Sequence, residues 1–176
     1  MPSAAVMATP IPVSIWFPGP GDLSTGLVRG PWSSLMGDPS RGGQDPIHVL
    51  LIEDDTAIAD MYRVQLEFDG FRVTVATTGE IGYTNVVSGR PDIVLLDLLL
   101  PDRSGLEIML DIKETLPTHP PVVILSNYGE PSMMDRGFSL GALEYLVKSR
   151  VTPASVSHSI RGWIEQARRE QSDPPN

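Results

Sequence analysis

The sequence predicts a doubly wound α/β domain: a five-stranded parallel sheet with helices covering both faces. Three observations carry that prediction. From residue 46 onward, strand-length apolar runs alternate about five times with segments of helical period. The strand candidates are continuously apolar rather than alternating, as a sheet covered on both faces requires. Four of the five also end on polar or charged residues, and in open α/β sheets sites form beyond the carboxyl ends of the strands.

The elements follow in order. IHVLLIE (47–53) is the first strand, and TAIADMYRVQLEF (56–68) the first helix, with Ile58, Met61, Tyr62 and Leu66 at helical spacing and Gly70 stopping it. FRVTVA (71–76) is the second strand. TGEIGYTNVVSG (78–89) is a short helix weakened by internal glycine. DIVLLD (92–97) is the third strand. GLEIMLDIKETL (105–116) sets Ile108, Ile112 and Leu116 four apart before Pro117 ends it. PVVILS (121–126) is the fourth strand, PSMMDRGFSLG (131–141) a helix opened by proline, and LEYLVK (143–148) the fifth strand. The last helix, 152–170, takes Thr152 as N-cap and Pro153 at its first position, with Val156, Ile160, Trp163 and Ile164 on one face.

Residues 1–45 contain 7 prolines and 7 glycines. That share exceeds the roughly 25–30% at which non-periodic sequence is expected to be disordered. They are read as a flexible Pro/Gly-rich extension, with Trp16, Phe17 and Trp32 as the anchors a docking reading would use. Residues 46–170 are the domain and 171–176 a tail. With no cysteine in the chain, disulfides, thiolate nucleophiles and cysteine metal sites are excluded. No apolar stretch approaches the roughly 18 residues of a membrane span. The N-terminus has no basic residue before Arg29, and prolines interrupt its apolar stretch, unlike a secretory signal. A cytoplasmic location is expected. The net charge of −9 argues against direct binding to nucleic acid, which needs clustered Lys and Arg.

The strand ends carry Glu53, Asp54 and Asp55 (first), Asp97 (third), Ser126 and Asn127 (fourth) and Lys148 (fifth). A carboxylate such as Asp97, closing an aliphatic run, costs several kcal/mol unless it reaches water or a partner. Several carboxylates in one cleft repel unless a cation joins them, and hard oxygen donors suit Mg²⁺. A nucleophilic carboxylate, a metal, a lysine and a hydroxyl donor together are equipment for receiving a phosphoryl group. Asp55 is assigned to the start of the first helix, where an anion suits the dipole.

The stretches VLLIEDD, DIVLLDLLLPDRSGLE, VVILSN and GALEYLVKS follow one another with 43 residues from Asp54 to Asp97, 29 to Ser126 and 22 to Lys148. In this order and spacing, residues 47–170 resemble a response-regulator receiver domain of two-component signalling, of the stand-alone, single-domain type, with a flavodoxin-like fold. The resemblance implies that Asp97 is the phosphoacceptor. It implies that Asp54 and Asp97 ligate Mg²⁺ with the backbone carbonyl of Leu99, and that Glu53 holds the ion largely through water. Ser126 would donate to a phosphoryl oxygen. Lys148 would pair with the carboxylate and then with the phosphoryl group, and Tyr145 would be the switch aromatic. The donor would be a sensor histidine kinase or a histidine phosphotransfer protein. The fourth-helix to fifth-helix surface would be the output face toward a protein partner and a candidate homodimer contact.

This sequence departs from the family's pattern at Ser149, where proline usually follows the lysine, and at Asn127, where a smaller residue is usual. Leu99 and Tyr128 are apolar and bulky where fast-hydrolysing members tend to carry a polar group. No effector segment follows the last helix, so output is expected by protein contact or onward phosphoryl transfer, without enzymatic turnover. Two other readings stand beside this one. A receiver-like scaffold that is not phosphorylated would be expected to have lost one of the site residues. A haloacid-dehalogenase-like phosphatase would need a second aspartate at position 99, where Leu99 stands.

Overall fold

The computed structural model of the chain describes residues 45–172. The proposed extension lies outside them except for Asp45, as does the tail beyond Ser172. The elements are β1 (His48–Ile52), α1 (Thr56–Phe68), β2 (Arg72–Ala76), α2 (Gly79–Gly89), β3 (Ile93–Leu96), α3 (Gly105–Thr115), β4 (Val122–Ser126), α4 (Pro131–Ser139), β5 (Glu144–Val147), a 3-10 turn (Lys148–Arg150) and α5 (Pro153–Ser172). Type and order agree with the sequence reading throughout. The ends move by a residue or two, and α5 runs to Ser172.

All strand pairs are parallel, in the order β2-β1-β3-β4-β5, the flavodoxin-like winding. The chain runs outward from β1 to β2, then returns past it to β3. The crevice between β1 and β3 is therefore the topological switch point, and it opens at their carboxyl ends.

Alternate residues of each central strand serve opposite layers. Leu50, Ile52, Val94, Leu96 and Ile124 pack under α2, α3 and α4. Val49, Leu51, Ile93, Leu95 and Val123 pack under α1 and α5, against Tyr62, Leu66, Val156 and Ile160. This double burial explains why the strands read as unbroken apolar runs. The edge strand β2 is half exposed.

Local chemistry sets the helix ends. The Asp55 side chain accepts from the amides of Ala57 and Ile58, so its assignment to the start of α1 is correct. Ser104 and Glu107 form a reciprocal capping box on α3. Thr152 accepts from the Ser155 amide at the start of α5. Met61 departs from the reading. It shares the helical spacing of Tyr62 and Leu66, but the buried face consists of Ala59, Tyr62 and Leu66, and Met61 is half exposed. The hydrophobic spacing of α1 fits two faces, and only packing selects one. Arg161 lies off the buried face of α5, exposed, with its guanidinium over the Phe71 ring.

Candidate functional site

β1 ends inside the sheet, where its last turn of backbone is still paired: the Glu53 amide donates to the carbonyl of Ala76. The amide of Asp97 donates in the same way to the carbonyl of Ile52. Glu53 and Asp97 are thereby held at the mouth of the β1–β3 crevice, both buried, with Asp54 exposed beside them. One carboxylate oxygen from each of the three lies within 4.8 Å of the others.

Lys148 arrives from the far side. β5 delivers it into the 3-10 turn, and its ammonium lies 2.6 Å from Asp97 Oδ2 and 2.5 Å from Glu53 Oε2. Its side chain is 7% exposed, so this is a buried bridge rather than a surface pair. Burial pushes the Glu53 carboxyl above the usual range, against the hydrogen bond and charge of Lys148 that favour its ionised form. Burial works against the Lys148 charge too, but the bonds and charges of Asp97 and Glu53 outweigh it and hold the ammonium above its ordinary value. The second Asp97 oxygen, Oδ1, accepts from the backbone amide of Leu99 at 3.2 Å. Asp97 is thus oriented from both ends. The Lys148–Ser149 bond is trans, and no cis peptide bond occurs among the described residues.

Ser126 ends β4, the strand paired with β3, and is buried. Its Oγ accepts from the Tyr128 amide at 3.1 Å, which leaves its hydroxyl hydrogen free to donate elsewhere. The carbonyl of Tyr128 is held in turn by the Tyr145 hydroxyl, at 2.9 Å. Tyr145 is buried, its ring against Gly137 of α4. The side chains of Leu99 and Tyr128 are about half exposed, on the loops after β3 and β4 respectively.

Glu53, Asp54, Asp97 and Lys148 therefore meet in one cluster. Ser126 stands at the neighbouring strand end, and Tyr145 reaches the loop after it. Two residues of the β3–α3 loop escaped the sequence reading. Asp102 accepts from the amides of Gly79 and Glu80 at 2.8 and 2.9 Å, capping α2 from 23 positions away. Arg103 pairs with Glu80 and Asp111 and stands over the Tyr83 ring. No local pattern announces either contact. The Ser104 to Glu107 capping box also went unnamed in the sequence reading, although its local Ser-x-x-Glu pattern is a signal that could have found it. Gly105 has a tertiary role as well, since a Cβ there would collide with the Asp97 carbonyl and the Leu98 backbone. α3 can start this close to Asp97 only because residue 105 has no side chain.

Clefts of about 580 and 670 Å³ lie at the opposite end of the sheet. They share Asp92, Ile164 and Arg168, and neither contains a residue of the acidic cluster. No helix among the described residues is long and apolar enough to cross a membrane.

Comparison with known proteins agrees with this geometry. The family model for the response regulator receiver domain matches residues 49–160. The chain is 34% identical over 129 residues to the transcriptional regulatory protein TrcR of Mycobacterium tuberculosis, covering 72% of this chain and 49% of that protein. It is 38% identical over 101 residues to the KDP operon transcriptional regulatory protein KdpE of Escherichia coli, covering 57% of this chain and 44% of that protein. The chain spans about half the length of these curated relatives. Among solved structures, a CheY-like receiver domain protein from Methanospirillum hungatei aligns with a TM-score of 0.65 at 26% identity, covering 71% of this chain and 98% of that one. The BeF3-activated DrrB receiver domain aligns with a TM-score of 0.60 at 29% identity, covering 68% and 98%. The match extends from β1 into α5 and takes in the whole strand-end cluster, and on it the chain belongs to the response regulator receiver domain family of two-component signalling.

Proposed function

We propose that this chain accepts a phosphoryl group on Asp97, from a histidine kinase or a histidine phosphotransfer protein, and signals by protein contact or onward transfer. The observation that carries the proposal is the buried Lys148 bridge between Asp97 and Glu53 at the sheet's switch point. A lysine held in that position gives Asp97 a buried counter-charge and fixes its orientation. As the Asp97 oxygen bonds to phosphorus and the donor's bond to phosphorus breaks, the ammonium can follow the negative charge onto the phosphoryl oxygens. The free hydroxyl hydrogen of Ser126 serves the same group.

Three close carboxylates make a hard-oxygen donor set that fits Mg²⁺, with Asp54, Asp97 and the Leu99 carbonyl as ligands and Glu53 largely through water. Mg²⁺ held there would neutralise charge between the carboxylate and the incoming phosphoryl group. Tyr145 is the proposed switch, because its hydroxyl holds the carbonyl of Tyr128 while Ser126 holds the amide of the same residue.

The outward face of α1 supports a helical donor. Ala57, Met61, Val64 and Phe68 are exposed there, Phe68 at 85%. Their spacing of four, three and four is that of a helix-packing seam. A donor helix seated on that seam would lie on the helix that starts next to the acidic cluster. Output through the α4–β5–α5 surface, a homodimer across it, and the lack of direct nucleic-acid contact by this acidic domain belong to the same proposal.

The test is incubation with acetyl phosphate or phosphoramidate and Mg²⁺, followed by intact mass. One added phosphoryl group is expected on the wild type and none on Asp97→Asn. Stable modification of the Asn variant would remove Asp97 from this role.

A further inference from the structure

The loop between β3 and α3 carries Leu99, whose amide orients Asp97 Oδ1. At its near end that loop is tied to α3 through the Gly105 amide, which donates to the Leu98 carbonyl at 2.9 Å, and through the bridge between Leu99 and Ser104. At its tip it is tied to a different element. Both carboxylate oxygens of Asp102 are used, one on the Gly79 amide and one on the Glu80 amide. The side chain of Arg103 lies against Gly79, where a Cβ would meet it, and its guanidinium reaches Glu80. The start of α2 is therefore a fixed wall for the loop, and Gly79 lets the loop approach it.

We infer that Asp102 is a positioning residue for the phosphoacceptor: its two-oxygen cap on α2 fixes the loop and so keeps the Leu99 amide on Asp97. The hydrogen-bond part of this inference stands on the loop geometry alone, and its consequence for phosphorylation rests on the function proposed above. A cap alone would explain why α2 begins where it does, but α2 already has a cap of its own. Thr78 Oγ1 accepts from the Ile81 amide within the element. The Asp102 contact differs in spanning two elements, so it restrains the loop as much as the helix. The Gly79 and Glu80 amides hold the Asp102 carboxyl below its ordinary value.

The experiment compares Asp102→Ala with Thr78→Ala in the full chain. Both weaken the start of α2, but only the first releases the loop. The primary readout is hydrogen exchange of the Leu99 amide, followed by NMR. Mg²⁺ affinity by calorimetry and the rate of phosphorylation by acetyl phosphate accompany it. Asp102→Ala should speed Leu99 exchange at least about tenfold, weaken Mg²⁺ binding severalfold and slow phosphorylation severalfold. Thr78→Ala should change each by less than about twofold. If Asp102→Ala does not fold, Asp102→Asn, which keeps one acceptor oxygen, should show the same changes at smaller size. Unchanged Leu99 exchange in the Asp102 variants, or an equal change in Thr78→Ala, overturns the inference. A wild type that takes no phosphoryl group would instead refute the proposed function, and the exchange comparison would still decide the role of Asp102.

Discussion

Replacing Lys148 with methionine removes a buried ammonium and leaves its stem. Its two partners, Glu53 and Asp97, have side chains 1% and 5% exposed and would face each other with no counter-charge. Removing one member of a buried ion pair typically costs about 3–5 kcal/mol. Asp54 keeps one side of the cluster open to water, so the lower end applies: about 3 kcal/mol at neutral pH without divalent cation. In a chain of this size that is a fall in Tm of roughly 10 °C. The pH dependence identifies the cause. Glu53 sits above its ordinary 4.5, so protonation favours folding, and that stability is lost as pH climbs from 4.5 through the raised value. Taking away Lys148, which favours the ionised carboxylate, moves that window toward neutrality. In the wild type, Lys148 is raised above 10.5, so its contribution is complete throughout the acid and neutral range and fades only above it. The gap between wild type and variant should thus be wide near about pH 7.5 and narrower by at least about 1 kcal/mol near about pH 5. Saturating Mg²⁺ should also narrow it, because the cation supplies the missing positive charge. The assay is thermal unfolding by circular dichroism at both pH values, with and without Mg²⁺. An equal loss at both, insensitive to Mg²⁺, would show that Lys148 acts by packing and that the electrostatic reasoning fails.

Two further outcomes are expected. Asp54→Asn should weaken Mg²⁺ binding sharply in calorimetry, since it removes one of few charged ligands, and unchanged affinity would take Asp54 out of the site. Leu99 offers no side-chain donor or acceptor to hold an attacking water, and the half-exposed Tyr128 side chain stands on the loop after β4, two residues from Ser126. Leu99→Asn with Tyr128→Glu should therefore release phosphate from the phosphorylated protein at least about tenfold faster, or roughly 1.4 kcal/mol of barrier. A double variant that decays no faster counts against water exclusion.

Sequence alone determined the element order, the parallel sheet and the sheet edge on which the candidate residues gather. It could do so because those features rest on local signals that tertiary context reinforced. Continuous apolar strands report burial on both faces. Asp55 and Thr152 report helix starts through bonds to amides two or three residues away, and Pro153 through its fixed φ at the first helical position. Glu53, Asp54, Asp97, Ser126 and Lys148 stand at strand ends, and parallel strands bring all such ends to one side. The resemblance already implied a Lys148–Asp97 pair, but only the tertiary structure decided that Lys148 bridges Asp97 and Glu53 together. Lys148 spans to Asp97 across 51 positions, and Asp102 to Gly79 across 23. Neither contact has a counterpart in local periodicity, because each depends on which strands lie side by side. The outward turn of Met61, the hold of Tyr145 on Tyr128 and the need for a bare Gly105 beside Asp97 have the same origin. A residue's own neighbours set its backbone conformation, but its side-chain partners are set by the winding of the sheet, which is a property of the whole chain.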